Sequence, residues 1–537
     1  MTVDAEVRAY ATGPVGSVDR LIALHARAVP DQPAIIDAEA RITWADFDAR
    51  IDRIAASLQR DGVCPRGCIA IAALSRIDYV AVFIATIRIG AAVAPLAPSS
   101  TPDQLAAMIV DSGASHLFVD ASVGAALVPA LASPGPRVIG FDAGAPGTPI
   151  DDWLASLGAK PTPVAVDPAA PFNIIYSSGT TGTPKGIVQS FAMRWPHNHL
   201  TDPPGHGRDA VMLLSTPLYS NTTLVALFPT LAGGGTVVLM PKFDARGFLE
   251  LSAAHRVTHA MLVPVQYRRL LAVPDFDAFD LTAYRMKFAT SAPFAAELKA
   301  EVLRRWPGGL IEYYGMTEGG GSCALLAHEY PDKLHTVGKP MPGHDLRVIG
   351  PDGDFAAPGV AGEVVGRSGA MMTGYHNAPA KTAEAEWFSP AGDRYIRTGD
   401  IASVDADGFF TLIGRAKDMI ISGGFNVYPV DIEAVLKEHP AVDEAAVIGV
   451  PSAEWGEMPV AFVTRRVRGV ADTGGAIDPE ALRLWANAQL GKMQRISAVE
   501  VIGELPRSAI GKVLKRELQE RWRAATLLER RAAGSRG

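Results

Sequence analysis

The sequence is poor in cysteine, in positive charge and in long apolar runs, and each shortage excludes a class of protein. Only three cysteines occur in 537 residues, and Cys64 and Cys68 have no second Cys or His pair at ligand spacing, which argues against a zinc site. The net charge is −7, whereas nucleic-acid-binding proteins usually carry an excess of basic residues. No apolar run reaches the ~20 residues that span a bilayer, and residues 1–13 lack a signal-peptide core. We therefore expect a cytoplasmic protein with no nucleic-acid partner and no transmembrane segment.

The order of apolar runs predicts an α/β fold with a smaller second domain. Short β-branched runs alternate with alanine-rich helical stretches over residues 68–175 and again over 210–312, which favours two parallel sheets with crossover helices. From residue 345 the strands become shorter and are punctuated by Gly and Pro, as in a β-rich subdomain. The large N-terminal domain is predicted over residues 1–416. A small α+β domain is predicted over 417–537.

The most informative segment is YSSGTTGTPKG, residues 176–186. Its glycines let the backbone approach an anion, its hydroxyls donate to phosphate oxygens, and its lysine adds a positive charge. It is not a P-loop, because Pro184 and Gly186 flank the lysine. A glycine-rich surface turn is the alternative interpretation. The candidate nucleotide-binding residues of this loop are Ser177, Ser178, Gly179, Thr180, Thr181, Gly182 and Lys185.

Four further motifs follow in order: YYGMTE (313–318), RTGD (397–400), GRAKD (414–418) and LPRSAIGKVLKREL (505–518). Together with the loop, they resemble the motifs of the adenylate-forming superfamily, which includes acyl-CoA synthetases, firefly luciferase and peptide-synthetase adenylation domains. The resemblance runs from about residue 20 to about residue 520. It implies an enzyme that activates a carboxylic acid with ATP and Mg²⁺ as an acyl-AMP and then transfers the acyl group to coenzyme A.

The resemblance also implies roles for individual residues. Tyr314, with Gly315 beside it, would pack on the adenine, Thr317 would contact the α-phosphate and Glu318 would hold Mg²⁺. Asp400 and Arg415 would bind the ribose. An aromatic face suits a purine, and a carboxylate is a hard ligand for magnesium beside phosphates. The residues expected to act in catalysis are Thr181, Glu318 and Lys512.

The C-terminal domain is expected to be mobile. In the family, the residue matching Lys512 touches the reacting carboxylate and the α-phosphate, where a cation offsets the charge that builds up during attack. Lys417 and Asp418 match the hinge about which the small domain rotates, so that pantetheine can enter. Lys417, Gly423 and Gly424 are therefore expected at the coenzyme A side of the site.

The chain departs from the family pattern where the acid should bind. After Tyr219, many acyl-CoA synthetases have a histidine, whereas this chain has Ser220 and Asn221. Thr290 and Ser291 replace two glycines that many relatives place before Ala-Pro. Tyr219, Ser220, Thr290 and Ser291 are the predicted substrate-binding residues. They are all neutral, which favours a monocarboxylic acid with an apolar or aromatic body.

The segment expected to face coenzyme A differs as well, because Gln494-Arg495-Ile496 replaces a Lys-x-Pro, so no coenzyme A contact is assigned to Arg495 or Trp455. No acidic residue occurs in residues 216–233, which argues against an amino-acid activator. The alternatives are a ligase that delivers its acyl-AMP to a carrier protein, a luciferase-like oxidase and a non-enzymatic acyl-nucleotide sensor. A sensor is expected to lose Lys512 or Glu318, and both are present. The oligomeric state, monomer or homodimer, stays open.

Overall fold

A computed structural model describes residues 2–177, 185–198, 205–350, 352–422, 425–452, 455–466, 477–508 and 511–534. The chain divides into two compact units. Unit 1 comprises residues 1–346 and 365–397, and unit 2 comprises residues 347–364 and 398–537. The domain boundary expected at residues 416 and 417 stays a prediction. Within the described part of the chain, no helix is both long and apolar enough to cross a bilayer.

The helices and strands are numbered in chain order. The strands are β1 (Pro33–Ile36), β2 (Arg41–Thr43), β3 (Cys68–Ala72), β4 (Ala92–Pro95), β5 (His116–Val119), β6 (Arg137–Gly140), β7 (Thr148–Pro149), β8 (Pro171–Ser177), β9 (Lys185–Ser190), β10 (Val211–Leu214), β11 (Thr236–Leu239), β12 (His259–Leu262), β13 (Met286–Ala289), β14 (Gly309–Tyr314), β15 (Cys323–Leu326), β16 (Lys339–Pro340), β17 (Asp345–Ile349), β18 (Gly362–Arg367), β19 (Gly374–Tyr375), β20 (Glu386–Phe388), β21 (Arg394–Val404), β22 (Phe410–Arg415), β23 (Ile420–Ser422), β24 (Phe425–Val427), β25 (Val442–Ser452), β26 (Gly456–Arg465) and β27 (Ala498–Ile502). The helices are α1 (Val3–Ala11), α2 (Val18–Ala28), α3 (Trp44–Arg60), α4 (Ile77–Arg88), α5 (Pro102–Ser112), α6 (Ala121–Leu127), α7 (Ile150–Trp153), α8 (Phe191–Arg194), α9 (Asn221–Gly233), α10 (Ala245–Ala254), α11 (Pro264–Leu271), α12 (Ala296–Arg305), α13 (Pro379–Ala385), α14 (Pro429–Glu438), α15 (Pro479–Asn487) and α16 (Lys515–Gly534).

Unit 1 contains two large sheets. The first has the strand order β16-β15-β14-β13-β12-β10-β11-β1-β2, and its inner strands from β14 to β1 pair in parallel. The second has the order β19-β9-β8-β4-β3-β5-β6-β7, in which β8 pairs in parallel with β4 and antiparallel with β9. Helices connect the parallel strands, so the predicted alternation of strand and helix over residues 68–175 and 210–312 is confirmed.

A shared apolar core explains why two helices of unit 1 lack a polar face. In α4, ten of the twelve residues are buried, and α9 is buried along most of its length. The rings of Phe83 on α4, Phe172 on β8 and Phe228 on α9 contact one another, with centroids 5.4–5.8 Å apart. A helix that is apolar all round is buried between layers, and burying each such side chain contributes about 1.5–3 kcal/mol. This packing joins α9, which follows the predicted substrate-binding residues Tyr219 and Ser220 directly, to the core.

Unit 2 is an α+β unit, as expected. Its sheet has the order β24-β23-β26-β25, with β27 added in parallel to β26. Side chains on β25 alternate between the two faces, as the two-residue period of a strand requires: Val447 packs in the cluster that contains Ile432 of α14, and Ile448 packs in the cluster that contains Leu518 of α16. Unit 2 also contains the end of β21, which pairs antiparallel with β22.

Candidate active site

The carboxyl ends of neighbouring parallel strands bring together several predicted site residues in unit 1. Strands β10, β12, β13 and β14 lie side by side and run in the same direction. Thr290 and Ser291 follow β13 directly, and the 313–318 motif spans the end of β14. Ser220 follows β10 and precedes α9. Ligands of open α/β sheets bind at the carboxyl ends of the strands. The predicted substrate-binding and nucleotide-binding residues therefore lie at the same edge of the sheet.

Hydrogen bonds hold the 313–318 motif in place. Gln189, which is buried on β9, donates its side-chain amide to the carbonyl of Thr317 at 2.6 Å. The backbone N–H of Met372 donates to the carbonyl of Glu318 at 2.8 Å. A Cβ on Gly315 would lie 2.7 Å from the hydroxyl of Ser322, so a larger residue here would displace that side chain. The backbone around Thr317 and Glu318 is therefore anchored on both sides.

The carboxylate of Glu318 is held by a tyrosine that the sequence analysis did not identify. The hydroxyl of Tyr375 donates to Glu318 Oε1 at 2.8 Å, and Lys185 Nζ lies 5.0 Å from the centroid of the Tyr375 ring. Burial and the neighbouring Glu318 carboxylate raise the pKa of the Tyr375 phenol well above its ordinary value, so the hydroxyl stays protonated and acts as the donor. None of the motifs identified in the sequence includes Tyr375, and nothing in the pattern around it pointed to this residue.

The two ends of the predicted phosphate loop are paired with each other. Ser177 at the end of β8 is opposite Lys185 at the start of β9 in an antiparallel register. The hydroxyl of Tyr176 donates to Asp111 at 2.6 Å, which fixes the strand that enters the loop. Ser178, Gly179, Thr180, Thr181 and Gly182 lie outside the described residues, so their predicted phosphate contacts stay predictions.

The acyl wall, that is, the predicted substrate-binding residues Tyr219, Ser220, Thr290 and Ser291, makes a hydroxyl pair with Thr222 of α9 and has a strained backbone at Ser291. Thr222 Oγ1 and Ser291 Oγ share a hydrogen bond of 2.5 Å. Ser291 has φ +80°, a left-handed conformation that favours glycine. The Ser220 hydroxyl caps α9 by accepting from the N–H of Thr222 at 3.3 Å. Tyr219 and Thr290 are half-buried. The four predicted side chains are neutral, as expected, and so is that of Thr222.

A buried arginine behind this wall was not identified from the sequence. Arg194 on α8 is 1% exposed, and its Nη2 donates to the side-chain oxygen of Asn221 at 2.7 Å. Burial lowers the pKa of Arg194 to about 9. Arg194 therefore fixes the side chain that begins α9, next to the position where many acyl-CoA synthetases carry a histidine.

In unit 2, two predicted ribose-binding residues contact each other. Asp400 and Arg415 are directly opposite in the β21–β22 pair, and Arg415 Nε donates to Asp400 Oδ1 at 2.8 Å. Lys417 is exposed in the single 3₁₀ turn Ala416–Asp418 that follows β22. Gly423 and Gly424 lie outside the described residues. Trp455 is half-buried and Arg495 is exposed.

The turn that carries Lys512 is closed by its own backbone and by one arginine. The N–H of Ser508 donates to the carbonyl of Lys512 at 2.9 Å, and the N–H of Gly511 donates to the carbonyl of Ser508 at 2.8 Å. Arg507 Nη1 donates to the carbonyl of Gly511 at 2.8 Å, while its Nη2 donates to Glu444 on β25 at 2.6 Å. Lys512 is therefore exposed on a turn that Arg507 connects to β25 in the sheet of unit 2.

The donor set at Glu318 fits a magnesium ion that arrives with a nucleotide. Among the described residues, no group of three or more His, Cys, Asp or Glu side chains could hold a metal ion. Magnesium in nucleotide sites takes one or two carboxylates and completes its octahedron with phosphate oxygens and water. A single glutamate whose Oε1 is oriented by Tyr375 meets that requirement, because each carboxylate oxygen keeps further lone pairs.

Comparison with known proteins agrees with this arrangement. Residues 22–376 match the AMP-binding enzyme family, and residues 431–512 match the AMP-binding enzyme C-terminal domain. Indoleacetate–CoA ligase of Aromatoleum aromaticum is 32% identical over 528 residues, which cover 94% of this chain and 98% of that protein. Feruloyl-CoA synthase of Amycolatopsis sp. is 33% identical over 502 residues, covering 93% and 97%.

A solved structure has a similar fold. The amide bond synthetase McbA from Marinactinospora thermotolerans superposes with a TM-score of 0.82 at 27% identity, covering 94% of this chain and 99% of the other. The likeness therefore extends over most of both units of the chain.

Proposed function

Because this chain belongs to the AMP-binding enzyme family, we propose that it is an AMP-forming acid–CoA ligase. It converts a carboxylic acid and MgATP into an acyl-AMP and pyrophosphate, and then transfers the acyl group to coenzyme A with release of AMP. The observation that carries the proposal is the shared sheet edge, where Thr290 and Ser291 lie beside the nucleotide motif that ends in Glu318. Both compared relatives are named as CoA ligases or synthases.

The first half-reaction joins two anions, so charge has to be neutralised. A carboxylate oxygen of the acid attacks the α-phosphorus, and the bond to pyrophosphate breaks. Magnesium, when bound with ATP, neutralises phosphate charge. Glu318 would hold that ion, Lys185 would contact the phosphates, and Lys512 would stabilise the charge that builds up on the α-phosphate. Thr181 is proposed to donate to the phosphates from the loop that precedes Lys185.

Nucleotide recognition in the proposal uses residues of three motifs, YYGMTE, RTGD and GRAKD. Tyr314, with Gly315 beside it, packs on the adenine, and Thr317 contacts the α-phosphate. Asp400 accepts from the ribose hydroxyls, with Arg415 positioned by its hydrogen bond to Asp400. A carboxylate has enough lone pairs to accept from two hydroxyls at once.

The second half-reaction requires Lys512 to be replaced by the coenzyme A thiol. The thiolate attacks the acyl carbon, the bond to AMP breaks, and AMP leaves with the oxygen that came from the acid. We propose Lys417 as the hinge for this exchange, because it lies in an exposed turn directly after β22. Gly423 and Gly424 are proposed to line the path of the pantetheine arm.

The proposed substrate is a monocarboxylic acid with an aromatic or apolar body. The wall formed by Tyr219, Ser220, Thr290 and Ser291 carries no charge. The compared relatives act, by their names, on indoleacetate and on the feruloyl group, and both of these carry a flat ring. The cytoplasm is the proposed compartment, since all three cysteines are free and cytosolic proteins keep their thiols reduced.

The direct test is pyrophosphate release with MgATP across a panel of arylacetic, hydroxycinnamic and aliphatic acids, each with and without coenzyme A. Release that depends on one class of acid and rises with coenzyme A supports the proposal. Pyrophosphate release that coenzyme A does not increase would favour a carrier-protein ligase instead. No pyrophosphate release with any acid of the panel would contradict the proposal. Lys512→Ala serves as the control for contaminating activity.

A further inference from the structure

One tyrosine contacts two of the residues expected to hold the phosphates and the metal. The hydroxyl of Tyr375 donates to Glu318 Oε1 at 2.8 Å. The ring of the same tyrosine faces Lys185, whose Nζ is 5.0 Å from the ring centroid. Glu318 and Lys185 are 133 positions apart in the sequence, and Tyr375 joins them through two different kinds of contact.

Tyr375 is itself held firmly by the surrounding structure. It is opposite Ile187 in the β19–β9 pair, and its N–H donates to the hydroxyl of Thr382 at 2.9 Å. Its ring packs against the apolar cluster formed by Ile187, Met193, Ala370, Met372 and Ile396. A side chain constrained at its backbone, ring and hydroxyl is suited to orient its neighbours, because it loses little further freedom when a ligand binds.

We propose that Tyr375 is a positioning residue, which aims the Glu318 carboxylate at the magnesium ion and keeps Lys185 directed at the phosphates. The proposal rests on the proposed function and adds a residue to it. Groups that orient a metal ligand affect metal affinity although they do not touch the metal. A lysine over an aromatic face is restrained in the same way, by attraction to the electron-rich ring.

The two contacts can be separated by substitution. Tyr375→Phe removes the hydroxyl and keeps the ring. The hydrogen bond that orients the Glu318 carboxylate is lost, while Lys185 keeps its aromatic partner. Tyr375→Leu removes both. Tyr395→Phe is the matched control, because the Tyr395 hydroxyl donates to another carboxylate of unit 1, that of Asp345, at 2.6 Å.

The measurement is ATP binding by isothermal titration calorimetry in the absence of any acid, repeated over a series of Mg²⁺ concentrations and once in EDTA. In Tyr375→Phe, the Mg²⁺ concentration for half-maximal tightening of ATP binding rises about tenfold, while binding in EDTA is unchanged. Tyr375→Leu shows the same rise and also binds ATP about two- to fivefold more weakly in EDTA. Tyr395→Phe matches the wild type in both measurements.

The outcomes distinguish the two proposals from each other. If the wild type binds MgATP and Tyr375→Phe has the same Mg²⁺ dependence, the positioning role is wrong and the proposed function stands. If the Mg²⁺ dependence of Tyr395→Phe shifts as much as that of Tyr375→Phe, the positioning role is also wrong, since a general loss of packing would then explain both variants. A wild type that does not bind MgATP would overturn the proposed function and this inference together. Thermal unfolding of each variant confirms that it is folded.

Discussion

The strained backbone at Ser291 leads to a prediction whose sign is unusual. A serine with φ +80° occupies a conformation that costs an L-residue about 1–2 kcal/mol relative to glycine. Its hydroxyl shares a hydrogen bond with Thr222, which contributes about 0.5–1.5 kcal/mol. We therefore compare Ser291→Gly with Ser291→Ala, because both lose the hydrogen bond and only the first relieves the strain.

The expected magnitudes follow from these terms. Ser291→Ala keeps the strain and loses the hydrogen bond, so it is less stable than the wild type by about 0.5–1.5 kcal/mol. Ser291→Gly gains about 1–2 kcal/mol from the relaxed backbone and loses about 0.4–1 kcal/mol because glycine has more freedom when unfolded. The glycine variant is therefore expected to be more stable than the alanine variant by about 0.5–1 kcal/mol.

The assay is equilibrium unfolding in urea, with the midpoints compared at a common slope. Ser122 provides the matched control, because it lies within α6 and its hydroxyl also makes a hydrogen bond, to Asp120 at 2.6 Å. At Ser122 the order is expected to reverse, with alanine more stable than glycine by about 1 kcal/mol. A Ser291→Ala variant as stable as Ser291→Gly would refute the strain argument.

Three further predictions follow from the structure. Lys512→Ala is expected to slow acyl-AMP formation by about 10²–10³-fold and to leave thioester formation from prepared acyl-AMP intact; equal loss in both half-reactions, assayed separately, would contradict its role. Arg507→Ala is expected to impair the same half-reaction, because Arg507 ties the Lys512 turn to Glu444, and Arg507→Lys should restore little, since an ammonium lacks the fork that reaches both partners. Burial lowers the pKa of His206 to about 3, so the unfolded chain binds the extra proton between about pH 3 and the ordinary value of 6.5 and stability falls as the pH drops through that window. When the pH falls from 7 to 5, the free energy of unfolding of the wild type should therefore drop by about 2 kcal/mol more than that of His206→Phe. Identical pH dependence of the two proteins in urea unfolding would contradict this.

The sequence contained enough information for the architecture of both units. Alternating strands and helices predicted the parallel strands around β10 to β14, because crossover helices leave a periodic apolar pattern. Thr317 and Glu318 were predicted through the resemblance of YYGMTE to the adenylate-forming motifs; the structure places them just after β14, and their contacts to a nucleotide and a metal stay predictions. These features depend on short stretches of chain.

The contacts that complete the site depend on distant parts of the chain. Thr222 and Ser291 are 69 positions apart, and the Tyr375–Glu318 hydrogen bond joins residues 57 positions apart. No periodicity links such pairs, and a tyrosine in a strand is usually only packed. The strain at Ser291 was equally hidden, because a serine gives no sign of a left-handed backbone. Only the folded arrangement of the strands brings these side chains together.

The central claim is that the acid is activated through its own oxygen as an acyl-AMP. Once the acid panel has identified a substrate, that acid labelled with ¹⁸O in both carboxylate oxygens can be turned over with MgATP and coenzyme A, and the nucleotide product analysed by mass spectrometry. The account predicts AMP that carries one ¹⁸O atom, together with an equal amount of acyl-CoA. Unlabelled AMP, or ADP with label in inorganic phosphate, would contradict it.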